Sequence, residues 1–172
     1  MKHVKVATVW LDGCSGCHMS LLDMDAVIIS LARRIDIVYG PLVDQQGFPE
    51  DVDVTLVEGA VSSQEDAWRL QKIRQRTKTL IALGDCAVTS NVPAMRNGIP
   101  VSQLLQKIYG SGKDVPAERL PALLNQARPV HEFVKVDMYL PGCPPSSKLI
   151  AGVLTDLLDG KKPDLAGKVK FG

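Results

Sequence analysis

Four cysteines are the residues of this 172-residue sequence whose type and spacing could do chemistry. Cys14 and Cys17 form a C-x-x-C pair in GCSGCH. Cys86 occurs in LGDC, and Cys143 occurs in LPGCPP. Thiolates bind soft metals and iron–sulfur clusters, and they also exchange disulfides. Four thiolates at one site would suit a [4Fe–4S] cluster, a zinc ion or another redox centre.

Other kinds of cysteine site fit parts of the same pattern. The segment CSGCH matches the motif for covalent attachment of c-type haem, and a C-x-x-C pair after a strand matches thioredoxin-like chemistry. Either of these sites leaves Cys86 and Cys143 without a role. A structural zinc site commonly has two paired C-x-x-C motifs, and this sequence has one. A stand-alone thiol redox or zinc module therefore remains an alternative interpretation, ranked below an iron–sulfur site.

Short apolar segments predict five β-strands, and the segments between them have helical periodicity. The predicted strands are Val4–Val9, Ile35–Tyr39, Val52–Val57, Thr79–Leu83 and Val134–Leu140. The predicted helices are Met19–Arg33, Ser63–Arg76 with Ser62 or Ser63 as its N-cap, and Ser146–Leu158. Residues 91–129 are rich in Gly and Pro around an amphipathic segment at Val101–Tyr109. They are expected to form an irregular insertion in a single domain of residues 1–172.

Continuous apolar strands that alternate with helices predict an α/β fold with a doubly wound parallel sheet. In such sheets, binding sites form at the carboxyl ends of the strands, near the point where the strand order reverses. Cys14 and Cys17 follow the first predicted strand. Cys86 follows the fourth, and Cys143 follows the fifth. The fold is therefore expected to bring all four thiols to the same edge of the sheet.

The residues beside the cysteines suit a cluster. Gly13, Gly16 and Gly142 lack a Cβ atom, so backbone amides can approach sulfur closely, and such hydrogen bonds tune a cluster's potential. The two prolines after Cys143 remove amide donors and lead into Ser146, a good N-cap residue. A cysteine followed by proline recurs among iron–sulfur ligands.

Composition argues against several classes of protein. Lys and Arg number 20 and Asp and Glu number 19, and a net charge of +1 argues against a nucleic-acid partner. Hydrophobic residues make up 45%, enough for a real core. No stretch approaches the ~18 apolar residues of a membrane span, and no export signal is evident at the N-terminus. We therefore expect a cytoplasmic chain, where thiols stay reduced.

Four stretches give the sequence its resemblance to a known family. They are TVWLDGCSGCHMSLLDMD (8–25), LVEGAV (56–61), ALGDCAVTSNVPAMRNG (82–98) and LPGCPPSS (140–147). Together they resemble the small, electron-transferring subunit of nickel–iron hydrogenases, above all of the soluble, NAD-reducing (bidirectional) type. The resemblance spans nearly the whole chain, and the combination is far more specific than any one motif.

Two departures sharpen this resemblance. Small subunits of the membrane-linked uptake type carry a further domain with two more clusters, and they place more residues between the Trp-Leu pair and the first cysteine. Here Trp10 lies close to Cys14, and no cysteine follows Cys143. The related subunit of complex I-like NADH:quinone oxidoreductases shares the GDC and PGCPP contexts but has two adjacent cysteines at the first position. It is therefore the second candidate.

The resemblance implies a flavodoxin-like domain with one proximal [4Fe–4S] cluster. The implied ligands are Cys14, Cys17, Cys86 and Cys143. It further implies a large subunit with the nickel–iron centre, and diaphorase subunits with FMN, further clusters and the NAD site. In this hydrogen dehydrogenase (H2 + NAD+ ⇌ NADH + H+) the chain would relay electrons and hold no catalytic residue. FMN is not expected in the chain itself, because the cysteine loop occupies the place of a phosphate-binding loop.

Among the remaining residues, Glu58 is the one with two interpretations. On the sequence alone it is expected to be a solvated carboxylate at a strand end. Its place at the cysteine edge and the resemblance make it a candidate neighbour of the cluster that accepts a hydrogen bond or helps to relay protons. Trp10 is expected to pack in the core or an interface near the cluster. Asp12 and Asp85 are expected in turns or caps, and His18 is expected to cap or pack against a helix.

Overall fold

Alternating strands and helices build the part of the chain that the computed structural model describes, residues 3–110 and 120–172. In chain order the elements are β1 (Val4–Trp10), α1 (Gly16–Leu22), α2 (Ala26–Leu31), β2 (Ile35–Tyr39), β3 (Val52–Glu58), β4 (Val61–Ser63), α3 (Gln64–Gln75), β5 (Thr77–Leu83), α4 (Asp85–Thr89), α5 (Val101–Tyr109), β6 (Leu123–Arg128), β7 (Met138–Leu140) and α6 (Ser147–Leu158). Short 3₁₀ helices span Val92–Gly98 and Val130–Glu132.

Five strands form one parallel sheet in the order β2-β1-β3-β5-β7. This is the doubly wound, flavodoxin-like arrangement, and the predicted fold class is confirmed. The last paired residues lie side by side across the sheet. Trp10 pairs with Glu58, Glu58 with Leu83, and Leu83 with Leu140. The chain therefore leaves β1, β3, β5 and β7 at a common edge.

Both faces of the sheet are covered, which explains why the strands are almost continuously apolar. On one face, Val6 of β1 belongs to a buried cluster with Leu31 of α2 and Ile150 of α6. On the other face, Val9 belongs to a second cluster with Leu70 of α3. Side chains alternate along a strand, so neighbouring residues of β1 serve opposite faces. The helices thereby fix the sheet edge that carries the cysteines.

Helix α3 begins as its sequence predicts. The Ser63 hydroxyl accepts a hydrogen bond from the Asp66 amide at 3.0 Å, and the Asp66 carboxylate accepts one from the Ser63 amide at 3.1 Å. This capping box satisfies two amides that a helix start otherwise leaves unpaired. In the described part of the chain, no helix has the length and apolar character needed to cross a membrane.

Three predicted elements differ in the structure. The single helix predicted over Met19–Arg33 is wrong: α1 and α2 are separate, because Asp25 adopts a left-handed φ of 48° that interrupts helical geometry. The strand predicted over Val134–Leu140 is shorter, since only Met138–Leu140 pair with β5. In the predicted insertion 91–129, β6 pairs antiparallel with β4 and α5 matches the amphipathic segment. Residues 111–119 of that insertion lie outside the described residues.

Asp137 directly precedes β7, and its hydrogen bonds to neighbouring elements supply a stability test. Its carboxylate accepts hydrogen bonds from the Leu80 amide at 2.8 Å and from Arg74 at 2.6 Å. Burial acts to raise the pKa of Asp137, but these hydrogen bonds and the Arg74 charge outweigh it, so the pKa lies below its usual range. The ionised form therefore stabilises the fold above the unfolded-state pKa of about 3.9, and this contribution is lost as pH falls through the folded-state pKa.

We expect Asp137→Asn to lower the free energy of unfolding of the isolated chain by about 1 kcal/mol at pH 7, since the carboxylate is partly exposed. The difference from the native chain should shrink as pH falls below about 4. Urea denaturation at pH 7 and pH 3.5 measures both values. An equal difference at the two pH values would contradict this assignment.

Candidate metal centre

The four cysteines lie in the segments that follow the carboxyl ends of β1, β5 and β7. Cys14 lies between β1 and α1, and Cys17 is the second residue of α1. Cys86 is the second residue of α4, and Cys143 lies between β7 and α6. Cys17 is buried, Cys86 is half-buried, and the other two are exposed; all four are free thiols.

The thiols influence one another electrostatically, so they share one site. Burial raises the pKa of Cys17, and the charges of Glu58 and of the other three cysteines raise it further. Burial also raises the pKa of Cys86; a hydrogen bond from the Val92 amide opposes that effect, while the charges of two other cysteines and of Glu58 add to it. A cationic partner such as a metal favours the ionised form of a buried thiol. The four free cysteines at this edge of the sheet form the candidate metal site.

Gly84 lets two of the cysteine-bearing segments approach closely. A Cβ atom at Gly84 would lie 2.2 Å from the Sγ atom of Cys17. The backbone φ of Gly84 is 83°, in the region that favours glycine. Its amide also donates to the carbonyl of Leu140 at 2.8 Å, which ties the end of β5 to β7. Sequence reasoning gave this residue no role, since its contact with Cys17 joins residues far apart in the chain.

The glycines singled out by the sequence have different surroundings. The Gly16 amide donates to the Sγ atom of Cys14 at 3.4 Å. The Gly142 amide donates instead to a carboxylate oxygen of Asp85 at 2.6 Å. Amide hydrogen bonds to sulfur stabilise thiolate charge, so Gly16 has a direct electrostatic effect on the site. The Gly142 amide instead holds the loop that contains Cys143 in place through its bond to Asp85.

The Trp10 side chain holds the loop that contains Cys14, between β1 and α1. Its indole Nε1–H donates to the carbonyl oxygen of Gly13 at 3.0 Å, and its side chain remains 45% exposed. A Cβ atom at Gly13 would lie 3.1 Å from the Cα atom of Gly59, so this loop packs closely on the turn after β3. The exposure of Trp10 favours the interface role that the sequence left open over a place in the core.

Glu58 is buried, and the expectation of a solvated carboxylate is wrong. Only 2% of the residue is exposed. Its carboxylate accepts hydrogen bonds from the backbone amide of His18, at 3.0 Å, and from the imidazole Nδ1 of the same residue. These bonds hold the first turn of α1, which contains Cys17, against the end of β3. His18 is buried within α1, and its imidazole ring forms a hydrogen bond with the Glu58 carboxylate.

Removing the Glu58 carboxylate tests this link. We expect Glu58→Ala to lower the free energy of unfolding by about 2–3 kcal/mol, because two buried donors of His18 lose their acceptor. Chemical denaturation at pH 7 measures the change. Glu132→Ala is the matched control: Glu132 pairs with Arg128 on the surface, and its loss should cost less than about 0.5 kcal/mol. Equal effects of the two variants would contradict the structural role of Glu58.

The kind of metal group matters for the geometry that the four thiols must have. Within residues 3–110 and 120–172, no group of three or more His, Cys, Asp or Glu side chains is arranged to hold a metal ion. Zinc places its four ligands about 2.0–2.3 Å from a single ion. In a [4Fe–4S] cluster, by contrast, each cysteine binds its own iron, so the four sulfurs lie farther apart. The two kinds of site therefore differ in the separation that they need between the four sulfurs.

Comparison with known proteins places the chain in a family. Residues 14–157 match the family model described as the NADH ubiquinone oxidoreductase 20 kDa subunit. The chain belongs to this family, whose members it matches over most of its length. The relatives it resembles within the family are hydrogenase small subunits, and the predicted resemblance is confirmed.

Two curated relatives are 37% identical over 96% of this chain. One is the NAD-reducing hydrogenase HoxS subunit delta of Cupriavidus necator, covered over 84% of its length. The other is a subunit of the F420-non-reducing hydrogenase vhu of Methanocaldococcus jannaschii, and this chain spans 60% of its length. A chain in the crystal structure of an NAD+-reducing [NiFe]-hydrogenase in the H2-reduced state matches with a TM-score of 0.92 and 36% identity. That match covers 99% of this chain and 100% of the other.

Proposed function

We propose that this chain is the small, electron-transferring subunit of a cytoplasmic NAD-reducing nickel–iron hydrogenase and carries one [4Fe–4S] cluster. The proposed ligands are Cys14, Cys17, Cys86 and Cys143. The observation that carries the proposal is the placement of all four cysteines in segments that follow β1, β5 and β7, whose carboxyl ends lie at one edge of the sheet. The similarity to a chain of an NAD+-reducing [NiFe]-hydrogenase, at a TM-score of 0.92, supports the assignment of partners.

A bound cluster supplies one-electron transfer, and the protein supplies position and tuning. The amides of Gly16 and Val92 donate to the sulfurs of Cys14 and Cys86. These hydrogen bonds stabilise negative charge on sulfur and favour the reduced, more negative form of a cluster. The charge of Glu58 acts in the opposite direction. Burial of Cys17 limits the access of water on its side of the site.

Exposed apolar side chains around the cysteines support a large-subunit partner that carries the nickel–iron centre. Met19 and Leu22 lie on α1, directly after Cys17. Val92 and Met95 lie on the 3₁₀ helix after Cys86, and Met95 is 80% exposed. Apolar side chains gathered near a redox site mark a surface that a protein partner covers. A partner there would shield the cluster and supply H2-derived electrons to it at short range.

The rest of the assembly follows from the same proposal. Diaphorase subunits would hold FMN, further clusters and the NAD site, and the cluster of this chain would exchange electrons with them. FMN in this chain stays disfavoured. The free thiols fit a reducing compartment such as the cytoplasm, and the described residues fit a single domain.

A complex I-like NADH:quinone oxidoreductase is the second candidate, because the matching family model carries the description of such a subunit over residues 14–157. The electron acceptor distinguishes the two. A tagged chain should co-purify with a larger, nickel-containing chain, and the complex should reduce NAD+ under H2. Quinone reduction by NADH, without nickel or H2 oxidation, would contradict the hydrogenase assignment and favour the second candidate.

A further inference from the structure

Asp85 is a buried carboxylate that joins two of the cysteine loops. It precedes Cys86 directly, and only 4% of the residue is exposed. One carboxylate oxygen accepts a hydrogen bond from the Gly142 amide at 2.6 Å. The Asp85 amide donates in return to the Gly142 carbonyl at 2.9 Å. Since Gly142 precedes Cys143, this reciprocal pair links the residues immediately before two proposed ligands.

The second carboxylate oxygen of Asp85 is used as well. It accepts a hydrogen bond from the amide of Gly172 at 2.8 Å, across 87 positions of sequence. A residue at a helix start commonly caps its own helix, which is the role the sequence predicted. Among the described residues no side chain caps α4, and the carboxylate of Asp85 reaches two other segments. The predicted local turn or cap role is therefore wrong for this side chain.

The link between Asp85 and Gly142 depends on geometry, because a backbone amide must point at an oxygen atom to donate to it. Hydrogen bonds to a carboxylate are stronger than those between neutral groups, and they depend on alignment. Two loops that are fastened one residue before each cysteine have little freedom to change the separation of the sulfurs. Buried donors that lose such an acceptor also carry a desolvation cost, which resists opening of the link.

We propose that Asp85 is a positioning residue that fixes the separation of Cys86 and Cys143, with the Gly172 amide locking its carboxylate in place. This inference rests on the proposed cluster function. Asp85 does not touch the cluster in this account; it acts through the two ligand loops. Its loss should therefore alter how firmly iron is held and the spectroscopic signature of the cluster.

The test uses the full chain in its complex, purified without oxygen. Asp85→Asn keeps the shape but replaces one acceptor by a donor. Gly172→Pro removes the distant amide donor and also changes the backbone there, because proline cannot adopt the φ of 111°. Asp137→Asn is the matched control, since Asp137 also accepts from a backbone amide but does not contact a cysteine loop. The measurements are the rate of iron loss to a ferrous chelator, the reduction potential, and the EPR spectrum of the reduced cluster.

We expect Asp85→Asn to lose iron about 10-fold faster, in the range seen when groups behind metal ligands are changed, with a shifted potential and an altered EPR spectrum. Gly172→Pro should give a smaller change of the same kind, and Asp137→Asn none. Native values in Asp85→Asn, or equally fast loss in Asp137→Asn, would overturn the proposal. If the Asp85→Asn chain does not accumulate, the rate of iron loss from Gly172→Pro is compared with that from Asp137→Asn instead, and equal rates would overturn the proposal. A native chain without iron would instead refute the cluster function itself.

Discussion

Replacing Cys86 by serine is expected to remove the cluster and abolish H2-dependent reduction of NAD+. Serine is a poorer ligand for iron than a thiolate, and this position is half-buried beside the other cysteines. Iron bound to this chain should fall from about four atoms to near zero. Under the proposed function, the nickel–iron centre and the diaphorase would then have no electron connection. Iron analysis of the chain and the H2-to-NAD+ assay of the complex measure the two effects.

The controls separate loss of the relay from loss of the complex. Ser30→Ala removes an exposed hydroxyl that donates to the nearby Val27 carbonyl, and it should leave both values unchanged. Oxidation of NADH by an artificial acceptor should survive in the Cys86→Ser complex, because that reaction stays within the diaphorase. Full H2-dependent NAD+ reduction by a complex whose small subunit has lost its iron would contradict the relay role.

Replacing Gly84 by alanine should be almost as damaging. The new methyl group would lie 2.2 Å from the Sγ atom of Cys17, so one of the two segments must move. Alanine is also strained at a φ of 83°. Strain and overpacking each cost about 1–3 kcal/mol, and the displaced sulfur is itself a proposed ligand. We expect lower stability together with loss of most of the iron.

Gly152→Ala is the matched control for this substitution. Gly152 lies inside α6, and a methyl group there would meet no other segment of the described chain within 4 Å. Alanine should raise stability there by about 0.5–1 kcal/mol, because glycine is a poor helix residue. Iron content should not change. Retention of full iron by Gly84→Ala would show that the close approach of Gly84 and Cys17 is not required.

The sequence predicted the framework of the site because strands leave a strong local pattern. The predicted strands Val52–Val57 and Thr79–Leu83 lie within two residues of β3 and β5, since continuous apolar segments mark strands covered on both faces. Once the strands are ordered in a parallel sheet, their carboxyl ends share one edge. The grouping of the cysteine loops follows from this geometry alone.

Contacts between distant residues could not be predicted in the same way. The burial of Glu58 depends on His18, which lies 40 positions away. The link from Asp85 to Gly142 spans 57 positions, and no local pattern signals it. Strand β6 was missed because its partner β4 is only three residues long and has no periodicity of its own. The break at Asp25 depends on a single backbone torsion, which helical periodicity does not report.

Metal analysis of the chain alone tests the central claim most directly. The chain is purified without oxygen, and its iron, zinc and inorganic sulfide are measured beside its EPR spectrum after reduction. Four thiols at one sheet edge predict about four iron and four sulfide atoms per chain, with the signal of a reduced [4Fe–4S] cluster. One zinc atom per chain, with neither iron nor sulfide, would contradict the account.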